Sequence, residues 1–515
     1  MTDKLELELN EIQFGKIDAY NELQEYGIEL FKNSFLQYEK YKIDEFLTGS
    51  RYFVCGNKGT GKTAFLKYLE CSLADDPENL IIPIRFKSDL DNEDKKTLSK
   101  TATNVKEEII EEVNTANHRN HVIVWQVFLI NKIFRAIDNG EYKVFLPNKE
   151  LESLKKLLNS IYSESKTKLM PKITKGYAKA NASLLKGIDA ELGVEIEFNE
   201  ATSDVNFSQA AKTIVKLFES LEYTTNNVYV IFDELELSVR NKKENDRDIE
   251  LVRDLILAVD KLNNICKRKG YGIKFIASVR NEVINSVLSS GYEINKCVED
   301  YGVDITWFQK GGNYEDSPLL KIIENKIIGS EKQKGITEHG DVWSKYFSES
   351  INGIGVKKYI LNYSWYRPRD VIRMMGLVQQ HYGSSQIFTQ EMFDRALQDY
   401  SERSWNEIVE ELRLTYSADD VKAIKKIFTN IEVPFSYAYL SRRIKELSDI
   451  YDYVLSFSER VKLIDLLEKL FEWGVIGNSG QRMVFKFLGD RDLSPTENMI
   501  IHKPLRNFFA VKSKE

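Results

Sequence analysis

Cysteine and proline are scarce in this chain of 515 residues, at four and nine copies. Cys55, Cys71, Cys266 and Cys297 show no Cys-x-x-Cys spacing. That excludes a disulfide scaffold and a cysteine-based zinc site, and points to reduced thiols. No run of about 18 apolar residues occurs, so no transmembrane helix is expected. The start, Met1-Thr2-Asp3-Lys4-Leu5-Glu6, has no apolar stretch of a secretory signal, and a cytoplasmic location is expected. Bulk positive charge is also missing: 72 basic residues stand against 79 acidic ones, a net charge of −7. Such a chain does not coat nucleic acid through overall charge. The five histidines are scattered, and only His118 and His121 lie close together, on a polar stretch that reads as solvated surface. What remains is a chain with 42% hydrophobic residues, enough for packed cores, and long enough for roughly three or four domains.

The apolar pattern divides it. Residues 1–50 read as a helical linker, with Leu23, Ile28, Leu30, Phe31, Phe35 and Tyr38 on one face. A sheet core is expected over 51–310. Its strands are Arg51 to Cys55, Leu80 to Phe86 (an edge strand, because of Pro83), Val228 to Phe232, Ile273 to Ala277, and one within Gly302 to Phe308. A stretch at about 88–206, including an alternating strand-like run from Asp189 to Phe198, reads as an insertion. A helical domain is expected over 311–403. From 404 to 515, helices near 419–429, 436–448 and 458–473 precede a two-stranded tail, the order of a winged helix. Strands alternating with helices give an α/β class with a parallel sheet.

Gly56-Asn57-Lys58-Gly59-Thr60-Gly61-Lys62-Thr63 matches the phosphate-binding loop at every fixed position. Its glycines let main-chain N–H groups turn inward onto phosphate oxygens, and the following helix adds its positive end. Lys62 can reach the β- and γ-phosphates, and the Thr63 hydroxyl can hold Mg²⁺. Asp233-Glu234 follows the apolar run Val228 to Phe232, at the carboxyl edge where parallel sheets bind ligands. Asp233 can hold the Mg²⁺ water shell, and Glu234 can polarise an attacking water; Glu236 is a nearby alternative base. At the end of the next strand, Ser278, Arg280 and Asn281 are candidates to lie beside a γ-phosphate. In Trp365-Tyr366-Arg367-Pro368-Arg369-Asp370-Val371-Ile372-Arg373, proline and aspartate suit a helix start from which an arginine can fold over a bound nucleotide.

With these motifs in this order the chain resembles AAA+-type P-loop ATPases, especially the branch of origin-recognition initiators and STAND signalling ATPases. It is similar to bacterial P-loop ATPases encoded beside phage-defence or toxin genes. The resemblance implies an AAA+-like sheet with a helical lid and a C-terminal winged-helix-like domain. It implies Walker A at Gly56 to Thr63, Walker B at Val228 to Glu234, sensor 1 near Ser278 to Arg280, and sensor 2 at Arg369. It also implies that Phe14 to Glu22 is a linker lying against adenine, and that ATP and Mg²⁺ are the ligands; no Asn-Lys-x-Asp guanine reader is present. Two features depart from compact members: the long insertion, and the lack of an identifiable arginine finger.

In the last domain, Ser458 to Trp473 carries four acids against three bases, a poor face for DNA. Ser441-Arg442-Arg443-Ile444-Lys445 is its one compact basic group. The expected function is an ATP-hydrolysing molecular switch that gates self-assembly, as a homo-oligomer, or a separate effector protein, in a setting such as anti-phage defence. The alternative is a DNA-binding, initiator-like loader.

Overall fold

A computed structural model of the chain describes residues 6–90, 93–96, 98, 122–140, 142–162, 185–188, 207–235, 242–289, 294–383, 385–413 and 415–513. His118, His121, the strand-like run 189–198 and Glu236 lie outside the described residues. The chain divides into two compact units: one of Glu39–Lys58 with Phe65–Ile305, the other of Met1–Tyr38, Gly59–Ala64 and Thr306–Glu515.

The first unit is built on five parallel strands: β1 (Phe53–Gly56), β2 (Leu80–Arg85), β3 (Val228–Leu235), β4 (Ile273–Arg280) and β5 (Gly302–Asp304), in the order β2-β3-β4-β1-β5. This is the parallel α/β sheet expected from the alternation of strands and helices. Val228 to Asp233 are all buried, as expected of a strand covered on both faces. Pro83 sits on the edge strand β2, exposed, where a residue without an N–H costs least. The fifth strand is shorter than its apolar run suggests, ending at Asp304. β4 lies between β1 and β3, pairing Gly56 with Arg280 and Phe232 with Ala277.

Where it is described, the stretch at 88–206 is woven into this core rather than appended to it. Helix Val122–Asn139 is buried over most of its first thirteen residues, up to Phe134. Fully buried Trp125 packs edge-on against Phe232 of β3 and donates its indole N–H to the Leu251 carbonyl at 3.0 Å.

The second unit holds the helical segment and the C-terminal domain. The N-terminal helix Ala19–Ser34 is interrupted at Gly27, which has a left-handed φ of +82°. Before it the chain is a strap with one 3-10 turn at Leu9–Glu11: the Leu7 N–H donates to the Tyr346 hydroxyl at 3.0 Å and the Gln13 N–H to Ser330 Oγ at 2.8 Å. Phe14, expected against adenine, packs on Phe388 with ring centroids 5.6 Å apart. The C-terminal domain has winged-helix-like order: helix Ala418–Phe428, strand Glu432–Val433, helix Tyr437–Ser448, then strands Ile476–Ser479, Met483–Val484 and Met499–Ile501 in one antiparallel sheet. The tail therefore has three paired strands rather than two. The helix expected over 458–473 is two, Asp452–Arg460 and Leu463–Glu472, because Val461 turns extended and packs on the domain's core.

His502 bolts this domain to the helical segment. Its ring is buried against Trp365, Phe485 and Phe487, and Nε2 lies 3.0 Å from the Ser364 carbonyl. A carbonyl only accepts, so Nε2 carries the proton; it is burial that keeps the ring neutral. Burial holds its pKa down to about 3, with the charges of Arg506, Arg367 and Lys503 in the same direction. The folded value is below the unfolded 6.5. The stability this neutral ring contributes is therefore present above about pH 6.5 and is lost as pH falls towards 3, at about 1.4 kcal/mol per unit. Thermal unfolding between pH 7.5 and 5 should show a steeper loss for the wild type than for His502→Gln; parallel slopes would remove His502 from the explanation.

Candidate nucleotide site

The phosphate-binding loop leaves β1 at Gly56 and enters helix Lys62–Leu73. Gly59 and Gly61 have φ of +83° and +92°, backbone that a side chain would strain. Gly59 is also pressed close: a Cβ there would come within 3.3 Å of Arg369 Cβ and 3.5 Å of Arg367 Cδ. The Arg369 main-chain N–H donates to the Gly59 carbonyl at 3.4 Å, and the Trp307 indole N–H to the Thr60 carbonyl at 2.9 Å. Thr60 and Lys62 are buried. Thr63 and Lys58 are half-buried, and Asn57 is exposed. The loop's amides are thus shaped by two glycines and braced by a tryptophan that sequence reasoning did not single out.

The acidic pair belongs to the sheet unit. Asp233 is 3% exposed, and the Ser278 hydroxyl of β4 donates to its Oδ1 at 2.5 Å. Its other oxygen, Oδ2, is buried with no hydrogen-bond partner among the described residues. An unpaired buried acceptor costs about 1–3 kcal/mol. A carboxylate oxygen held this way suits a hard divalent cation that keeps most of its waters. The residues present therefore fit Mg²⁺.

Glu234 is shaped differently. The register of β3 against β4 shifts between Phe232 and Leu235, and Glu234 itself adopts a left-handed φ of +58°. A non-glycine residue there stores roughly 1–3 kcal/mol of backbone strain, which is typical of functional positions. The irregularity leaves Glu234 half-buried beside fully buried neighbours, and Ser88 Oγ donates to its Oε2 at 2.6 Å. Ser88 stands 146 residues away in sequence, and no local pattern announces it.

Of the three candidates at the end of β4, Ser278 is the one brought onto Asp233. Arg280 is in register with Gly56. Asn281 turns instead to β5, donating to Asp304 Oδ1 at 3.1 Å.

Arg369 lies in the first turn of helix Pro368–Gln379. Its guanidinium Nη1 contacts Glu407 Oε1 at 3.1 Å, while its Nε is buried without a partner among the described residues. Arg367 is held by Asp370 at 2.8 Å and lies 3.8 Å from Glu407; Arg373 pairs with the other Glu407 oxygen. Sequence reasoning missed Glu407. It is one glutamate among several on a long helix, 38 residues from Arg369, and carries no spacing signal. Arg373, the last residue of the arginine motif read from the sequence, lies one helical turn beyond Arg369, on the same face.

Strand order, loop and acidic strand end together define a parallel α/β sheet whose β1 leads into a phosphate-binding-loop sequence. Residues 317–409 match a family described as the FunZ-associated C-terminal helical domain, a segment that contains Arg367, Arg369, Arg373 and Glu407. Among solved structures, the chain is similar to the crystal structure of Cdc6p from Pyrobaculum aerophilum, at 12% identity and a TM-score of 0.33, over 93% of this chain and 95% of that one. No curated protein matches it.

Proposed function

We propose that this chain is an ATP-binding and ATP-hydrolysing molecular switch that gates its own assembly or a separate effector protein, in the cytoplasm and in a setting such as anti-phage defence. The finer division into a linker (1–50), a sheet core (51–310), a lid (311–403) and a winged-helix-like domain (404–515) belongs to the same reading. The observation that carries it is Asp233, fixed through one oxygen by Ser278 and open at the other, at the end of a strand in the sheet whose β1 leads into the phosphate-binding loop.

In this reading the loop amides and the Lys62 ammonium bind the β- and γ-phosphates. Thr63 and Asp233 would hold Mg²⁺, which when bound neutralises charge on the phosphates. Ser278 keeps Asp233 oriented. Ser88 keeps Glu234 oriented, and Glu234 takes the proton from the water that attacks the γ-phosphorus. Arg280 and Arg369 supply positive charge for the transition state. One hydroxyl on each carboxylate, Ser278 on Asp233 and Ser88 on Glu234, supports this reading, because a side chain held before the ligand arrives needs less reordering.

A switch must differ between its ATP and ADP states. Amide hydrogen exchange of the full chain should be slower with ATP than with ADP in Thr306–Glu515; identical profiles would sink the switch while leaving hydrolysis intact.

Six basic residues of the C-terminal domain are engaged within it, which does not favour the DNA-loader alternative. Lys422, Lys425 and Lys426 sit over the rings of Tyr453, Phe508 and Tyr451 at 4.4–4.6 Å. Arg443 donates to the Ile427 and Thr429 carbonyls, and Arg460 and Arg482 are paired with Asp420 and Asp490. ATP-dependent gel shifts that weaken steeply with salt would restore that alternative.

A further inference from the structure

Within the helical segment, three guanidiniums converge on one carboxylate. Arg367 and Arg369 approach Glu407 Oε1, and Arg373 bonds Oε2. Asp370 takes a second share of Arg367. These five groups leave one positive charge in excess. Burial alone would raise the Glu407 carboxyl, but Arg367, Arg373 and Arg369 outweigh it and hold the carboxyl well below the usual carboxylate range. Two donors in the cluster are buried with no partner among the described residues: Arg369 Nε and Arg373 Nη1. Arg373 is only 9% exposed.

An excess charge and unused buried donors are both costly in a packed interior. Arg367 and Arg369 would already balance Asp370 and Glu407, so Arg373 is the charge that packing does not need. The phosphate-binding loop lies against this cluster, Gly59 touching Arg369 through both main chain and side chain. A ligand that supplies negative charge there, with acceptor oxygens for two guanidiniums, would complete the set.

We propose that Arg373 joins Arg369 in binding the terminal phosphate of the nucleotide, and that Glu407 is the positioning residue that holds both guanidiniums for it. The proposal rests on the phosphate-binding-loop reading above. It gives the segment matching the FunZ-associated helical domain a chemical task, which is to tell a triphosphate from a diphosphate.

The test is equilibrium titration of the full chain with MgATP and with MgADP. Arg373→Met leaves two guanidiniums against two carboxylates, so the fold is expected to persist, with a melting temperature within a few degrees of wild type. ATP affinity should fall roughly tenfold, about 1.4 kcal/mol, while ADP affinity stays within about twofold. Glu407→Gln should cut the same ATP-to-ADP ratio, and Glu407→Asp should recover part of it. A wild-type ratio in Arg373→Met, or equal losses for both nucleotides alongside a lowered melting temperature, would overturn the assignment. If Glu407→Gln does not fold, Arg373→Met decides alone. Lys62→Ala, titrated in parallel, separates the failures: were it to bind like wild type, the loop reading itself would fall.

Discussion

Glu234→Gln is expected to bind MgATP as the wild type does and to hydrolyse it roughly 10²–10⁴ times more slowly, the range that a positioned general base supplies. The substitution is close to isosteric. The glutamine carbonyl can still accept from Ser88 Oγ, now 2.6 Å from Oε2, and the left-handed backbone at this position is no harder for Gln than for Glu. Only the capacity to take a proton is removed. KM for ATP should therefore move little while kcat collapses, the signature of an interaction that matters in the transition state. Unchanged turnover would send the base elsewhere, with Glu236 first in line.

Lys62→Ala should act on binding as well as on chemistry. In the P-loop arrangement this ammonium reaches the β- and γ-phosphates, and charge-assisted hydrogen bonds contribute about 1.5–3 kcal/mol. That corresponds to roughly a 10- to 150-fold weaker MgATP affinity. Because bound ligand stabilises the folded state by mass action, the wild type should melt at a higher temperature with saturating MgATP, and Lys62→Ala should show little such rise. An equal rise in both would mean that nucleotide binds at some other surface.

The legible part of this molecule is the part written in local pattern. Continuous apolar runs announce β3 and β4, and Pro83 marks the edge of the sheet. Fixed glycine spacing announces the loop, whose left-handed Gly59 and Gly61 only glycine tolerates comfortably. Asp233 was found because an acidic residue ending a buried strand is conspicuous. The site's supporting residues are not local. Ser88 meets Glu234 and Glu407 meets Arg369 across long sequence separations, and Trp307 reaches the Thr60 carbonyl from a segment that reads simply as a strand. Folding alone brings these together. The break at Val461 was hidden for a related reason: the helices on either side keep compatible apolar spacing, and it is packing of Val461 on the domain core that ends the first of them.

The most direct measurement is inorganic phosphate released at steady state by the purified full chain supplied with ATP. Turnover that needs Mg²⁺, stops on chelation, and is lost in both Lys62→Ala and Glu234→Gln is the expected result. Release that proceeds without magnesium, or at the wild-type rate in either variant, would contradict it.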